Sequence, residues 1–143
     1  MATQFKVAGF EHYMDAIIKV LAYKNEDFSM SNTELKESYY PGDYVYQYDG
    51  TTSRADLIPE PDNPHDANAI KIMVDGQLMG YVPQKSCSKV KKLMNDPKYQ
   101  YCSVGLLGGK YKHIWEDDNE KINIETGEKP YTVQLFIYME GDD

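Results

Sequence analysis

The sequence predicts a mainly β (α+β) fold, a small barrel of about six to eight strands carrying two or three helices. Three observations carry that expectation. The chain has 143 residues, the usual size of a single domain, so residues 1–143 are expected to form one. Runs of β-branched and aromatic residues, each of strand length, recur between turn signals. These runs do not alternate with helical segments, as a parallel sheet would require.

The elements follow in chain order. Residues 4–10 place Phe5 and Val7 on one face at period two, which suits a first strand. Met14, Ile17, Ile18 and Leu21 then recur at spacings of three and four and predict an amphipathic helix over 13–23. Ser31-Asn32-Thr33-Glu34 has capping-box spacing and opens a second, short helix through Leu35. After the turn signal Pro41-Gly42-Asp43, alternating Tyr44, Tyr46 and Tyr48 read as one side of a strand. Strand character resumes over 54–58. Three prolines within residues 59–66 then impose a rigid loop.

Residues 69–74 and 77–82 flank Asp75-Gly76, a dipeptide that supplies the positive φ angles of a tight hairpin. Cys87, Val90, Leu93 and Met94 share one helical arc opposite Lys85, Lys89 and Lys92, and Asn95-Asp96-Pro97 closes that helix. The remainder reads as four strands, over 99–107, 110–115, 121–125 and 131–140. Turns at 116–119 and 126–130 separate the last three. Gly105 to Gly109 reads as a twisted strand end or bulge.

A hydrophobic share of 41% and a charged share of 27%, with no apolar run of about 18 residues, exclude collagen, disordered and helical membrane classes. Met1 to Lys6 lack a secretory start, so a cytoplasmic location is expected. Cys87 and Cys102 form no zinc-ligand pattern and are expected as free thiols. Net charge −8 argues against coating nucleic acid by bulk attraction. The charge is uneven, however. Residues 84–112 hold seven lysines and one acid, a local +6 that leaves −14 for the rest.

Neither a phosphate-binding G-x-x-x-x-G-K-[ST] loop nor a G-x-S-x-G elbow is present, and the three histidines are scattered. No enzyme activity and no cofactor are expected, the lesser alternative being a nuclease or hydrolase that uses the acidic loop with a metal. The loop Glu60-Pro61-Asp62-Asn63-Pro64-His65-Asp66 is the densest polar constellation. A calcium loop would need Gly and an acid where Ala67 and Met73 stand, so no metal is expected. Two readings of the loop stay open. Asp62, Asn63 and Asp66 can simply bond the backbone of a stiff turn. Alternatively, the turn presents Asn63 and Asp66 as fixed hydrogen-bonding groups, with His65 as a flat stacking surface.

At this loop the chain resembles the HIRAN domain, found in fork-remodelling helicase-like proteins and as small stand-alone bacterial and phage proteins. The resemblance rests on Val7-Ala8-Gly9-Phe10 with Tyr13, on the run from Leu57 through Glu60-Pro61-Asp62-Asn63-Pro64-His65-Asp66 to Ile72, and on Gly80-Tyr81-Val82-Pro83. Gly108-Gly109-Lys110-Tyr111-Lys112 matches more weakly, and residues 14–52 read as a helical insert. The resemblance implies an OB-like barrel whose pocket captures the 3′-hydroxyl end of single-stranded DNA, in repair or replication-fork processing. By that analogy Asp66 accepts a hydrogen bond from the terminal hydroxyl, Asn63 contacts the end nucleotide and aromatic residues sandwich its base. The implied interface comprises Asp66, Asn63, His65, His12, Tyr13, Tyr81 and Lys85.

Three positions depart from the family pattern. His65 replaces a stacking tyrosine, Glu11-His12 replaces Arg-Tyr, and Gln84 stands where a basic residue is expected, with Lys85 one place later. These departures and the −8 charge favour an alternative, a protein-interaction or regulatory domain with a protein partner, in which the barrel persists without the pocket.

Overall fold

The structure, a computed structural model, describes residues 2–141. The fold is mostly β and of the α+β class. Seven strands and three α-helices are present among the described residues, consistent with a small OB-like fold. The chain divides into two compact units. One comprises Met1–Ala22, Thr51–Leu106 and Thr132–Asp143, and the other Tyr23–Gly50 and Leu107–Tyr131.

The first unit is a barrel. It contains β1 (Thr3–Lys6), α1 (Met14–Leu21), β3 (Ser53–Pro59), β4 (Ile70–Val74), β5 (Gln77–Tyr81) and α3 (Cys87–Met94), with part of β6 (Tyr99–Glu116) and of β7 (Ile122–Met139). Its strands run in the order β1-β7-β6-β3-β4-β5. The two edges are then joined. Val7 N–H still bonds to Val133 O on the β7 side, while Ala8 exchanges two hydrogen bonds with Tyr81 at the end of β5, at 2.8 and 2.9 Å. The alternation of β4 puts Ile70, Ile72 and Val74 in the core, and Ile17 and Leu21 of α1 are buried as well. Ile18, expected on the buried face of α1, is instead exposed. A 3₁₀ turn over Phe10–Tyr13 leaves the α-helix only eight residues, and Ile17 and Leu21, four apart, fill its inward stripe.

The second unit holds α2 (Asn32–Ser38), β2 (Tyr44–Tyr46) and the other ends of β6 and β7. The capping box forms as the spacing predicts. Ser31 Oγ accepts from Glu34 N–H, and the Glu34 carboxylate accepts from Ser31 N–H. Leu35, Val45 and Ile114 make a small core here, with Phe28, Tyr39 and Ile124 packed against it.

The hairpin is as predicted, with Asp75 and Gly76 both at positive φ, 49° and 74°. The last four predicted strands are not separate. They merge into two 18-residue strands, β6 and β7. Gly108 and Gly109, at φ 90° and 86°, bend β6 without ending it. Pro130 does not end β7, because it precedes the stretch, Gln134 to Ile137, that β1 pairs, and a strand edge tolerates a missing N–H. The thiols of Cys87 and Cys102 are free and buried. No helix among the described residues is long and apolar enough to cross a membrane.

Candidate nucleic-acid interface

The loop between β3 and β4 is organised by its own side chains. Prolines fix φ at three positions, and Asn63 supplies the acceptors that the stiffened backbone needs. Asn63 Oδ1 accepts from the N–H groups of His65 (2.8 Å) and Asp66 (3.1 Å), while its Nδ2 donates to Glu60 Oε1 (2.6 Å). Glu60 Oε1 also accepts from the Tyr81 hydroxyl at 3.1 Å, which ties the loop to the end of β5. Burial first, and then this bond to Glu60, raise the Tyr81 pKa above its ordinary value, so the phenol stays protonated. Two backbone bonds close the loop's base, Glu60 N–H to Ala69 O and Ala69 N–H to Asp66 O.

Asp66 is used only in part. Its Oδ1 accepts from Asn68 N–H at 2.9 Å, and among the described residues no protein group bonds Oδ2. The side chain lies between two hollows of the barrel unit. One, of about 310 Å³, is lined by Ala8, Asn63, His65, Asp66, Ala69, Tyr81, Val82 and Gln84. The other, of about 370 Å³, is lined by Asp66, Asn68, Gln84, Cys87, Ser88 and Lys91. Lys91 Nζ donates to Asn68 Oδ1 at 3.1 Å, so an ammonium stands two hydrogen bonds from the Asp66 carboxylate.

Of the residues expected at the interface, Asn63, His65, Asp66 and Tyr81 therefore meet around one hollow. His12, Tyr13 and Lys85 are not among its walls. His12 and Tyr13 sit edge to face, ring centroids 6.3 Å apart, in the 3₁₀ turn that follows Gly9. That turn is held against β5 by a close approach. A Cβ on Gly80, whose φ is 144°, would lie 2.6 Å from Val7 Cγ1 and 2.8 Å from Ala8 O. Lys85 is exposed in a short 3₁₀ turn over Gln84–Ser86.

Sequence reasoning missed Asn68 and Lys91, and it named Glu60 and Gln84 without placing them at the interface. A signal for Lys91 existed, since it lies three and four residues after Ser88 and Cys87 and so shares their face of α3 rather than that of Lys89 and Lys92. The basic segment is also less available than its charge implies. Lys112 Nζ donates to the carbonyls of Phe28 (2.6 Å) and Met30 (3.5 Å) and is structural. No cluster of three or more His, Cys, Asp or Glu able to hold a metal ion occurs among the described residues.

The fold and site together define a class: a small β-barrel module whose stiff loop offers one carboxylate oxygen beside a shallow, partly aromatic hollow. The family model for the HIRAN domain matches residues 29–127, most of the chain, and the protein belongs to that family. Membership marks it as a nucleic-acid-binding module, and the HIRAN domain is a binding domain, generally non-enzymatic. No curated protein and no solved structure matches the chain.

Proposed function

We propose that the barrel unit captures the 3′-hydroxyl end of single-stranded DNA in the hollow beside Asp66. The observation that carries the reading is the Asp66 carboxylate, one oxygen held by Asn68 N–H and the other without a hydrogen-bond partner among the described residues, beside His65 and Tyr81. A carboxylate accepts and cannot donate, so it selects a hydroxyl terminus over a phosphate terminus, which it repels. A hollow of about 310 Å³ is at the small end of ligand sites and suits one nucleotide end rather than a duplex. Lys91, beside the adjoining hollow, supplies a cation for the phosphate that precedes the terminal sugar.

The energies are sufficient for modest affinity. A base stacked on an aromatic contributes roughly 1–3 kcal/mol, and a hydrogen bond to a charged acceptor roughly 1.5–3. Two stacks and two such bonds reach about −8 kcal/mol, a micromolar Kd, when the loop is already ordered. The bonds within the loop reduce that ordering cost. Because few phosphates are neutralised, affinity falls only shallowly with salt.

The test is a titration of the full chain with short single strands carrying a free or a phosphorylated 3′ end. Binding should favour the free end by roughly tenfold or more, as expected for one bond to a charged acceptor. Equal binding of both ends removes the end-capture reading while leaving the family assignment intact.

A further inference from the structure

The second unit carries a surface that nucleotide-end capture does not use. Of the 13 tyrosines, eight fall in this unit, and several gather on one face of β2 and β6. Register pairs Tyr44 with His113 and Tyr46 with Tyr111, while Val45 and Ile114 point into the core. The outward rings therefore pack on each other. Tyr44 stacks on His113 at 4.2 Å and meets Tyr111 edge-on at 5.2 Å. Tyr44 keeps 42% of its surface exposed, more than a ring serving only as packing would.

A cation already sits on this face. Lys129 Nζ lies 4.6 Å from the ring centroid of Tyr44, 5.6 Å from that of Tyr111 and 5.8 Å from that of Tyr46. Three tyrosines around one ammonium, which also bonds to the Tyr46 hydroxyl, form an aromatic cage, occupied here by an exposed side chain of the chain itself. Tyr44, Tyr46 and Tyr48 also line a hollow of about 410 Å³ whose wall includes Asp49 and the exposed Leu107. The surrounding charge is of the matching sign. The unit has six lysines against 12 acidic residues, a net −6. A phosphate backbone is repelled by that balance and a cationic chain is attracted.

We infer that the tyrosine face of the second unit binds a lysine- or arginine-bearing peptide segment of a protein partner, with a partner cation displacing Lys129 from the cage. The internal lysine acts as a competitor. It keeps the rings covered by a group that needs no partner, and any ligand must outcompete it. Recognition is then selective for cations that can approach ring faces, a guanidinium by stacking flat and an ammonium as a point charge.

The test titrates the full chain with an oligolysine peptide. Lys129→Ala should tighten binding by roughly two- to fivefold, the value of a cation–π contact at an exposed site. Lys121→Ala makes the same charge change on the same unit outside the cage and should tighten binding by clearly less than Lys129→Ala does. Tyr46→Leu should weaken binding by about fivefold and Tyr46→Phe by no more than about twofold, since a phenyl ring keeps the aromatic attraction and loses only the hydroxyl that bonds the ammonium. Equal effects of Lys129→Ala and Lys121→Ala overturn the proposal, because binding would then follow net charge alone. Binding of a single-stranded oligonucleotide that depends on Tyr46, in place of the peptide, overturns it as well.

Discussion

The proline loop of the barrel unit and the tyrosine face of the second unit handle polar and aromatic side chains in opposite ways. In the loop, Asn63, Glu60 and Tyr81 are consumed in hydrogen bonds to one another and to the backbone, and one oxygen of Asp66 remains. On the tyrosine face the rings are held by strand register and by stacking, and their outer surfaces stay open except where Lys129 covers them. The loop therefore yields one directional acceptor fixed by backbone geometry. The face yields a broad, adaptable surface whose selectivity comes from charge and ring electrostatics. Disturbing the backbone should harm the first far more than the second.

The largest expected effect follows from Gly80. A valine there meets Val7 and Ala8 O at closer than contact distance and forces a φ that β-branched residues avoid. Gly80→Val should cost about 3 kcal/mol or more in denaturant unfolding, whereas Tyr46→Leu should cost about 1. Similar losses in the two variants would mean that the Ala8–Tyr81 join does not govern the barrel's stability. Next, Asn63→Ala removes the hydrogen bonds to the N–H groups of His65 and Asp66 and should destabilise by about 1–3 kcal/mol, the net value of two such bonds. Hydrogen exchange at those two amides should quicken, and unchanged protection there would refute the bracing role.

Among the lysines, Lys91→Ala should weaken oligonucleotide binding by roughly tenfold and Lys85→Ala by no more than about twofold, because only Lys91 stands beside the hollows. Reversed ranks would move the phosphate contact to the exposed turn. The smallest effect concerns pH. Burial and the Glu60 bond raise the Tyr81 pKa above its ordinary value of 10.0. The stability it contributes is thus fully present below that pH and is lost as pH rises through the higher folded value. Tyr81→Phe should flatten this part of the alkaline stability profile, and an unchanged profile would show that Tyr81 titrates normally.

What could be read from the sequence divides along the same line. The hairpin was visible because Asp75-Gly76 dictates its turn locally, and the capping box because Ser31 and Glu34 are three apart. The proline-braced loop was equally legible, whereas the resemblance grouped Asn63, His65, Asp66 and Tyr81 with His12, Tyr13 and Lys85, and only the first four line one hollow. Loop and hairpin are neighbours in sequence, and the family resemblance lies there. The merging of four predicted strands into β6 and β7 was not visible, since a glycine pair can bend a strand or end it, and neighbouring strands decide which. The cage was hidden for a related reason. It joins Tyr44 and Tyr46 to Tyr111 and to Lys129, and period-two alternation names a face without naming the strand that pairs with it. Lys91 was obscured by a more obvious stripe, Lys85, Lys89 and Lys92, which turned out to be the exposed face.

The central claim, that Asp66 accepts the hydrogen bond of a terminal hydroxyl, is tested most directly by a thermodynamic cycle. The affinities of 3′-hydroxyl and 3′-deoxy single strands are measured for the unaltered chain and for Asp66→Ala, with folding of both checked by thermal unfolding. The account predicts a preference for the hydroxyl end of roughly tenfold or more in the unaltered chain that vanishes in the variant. A preference that persists without the Asp66 carboxylate, or none in the unaltered chain, would contradict it.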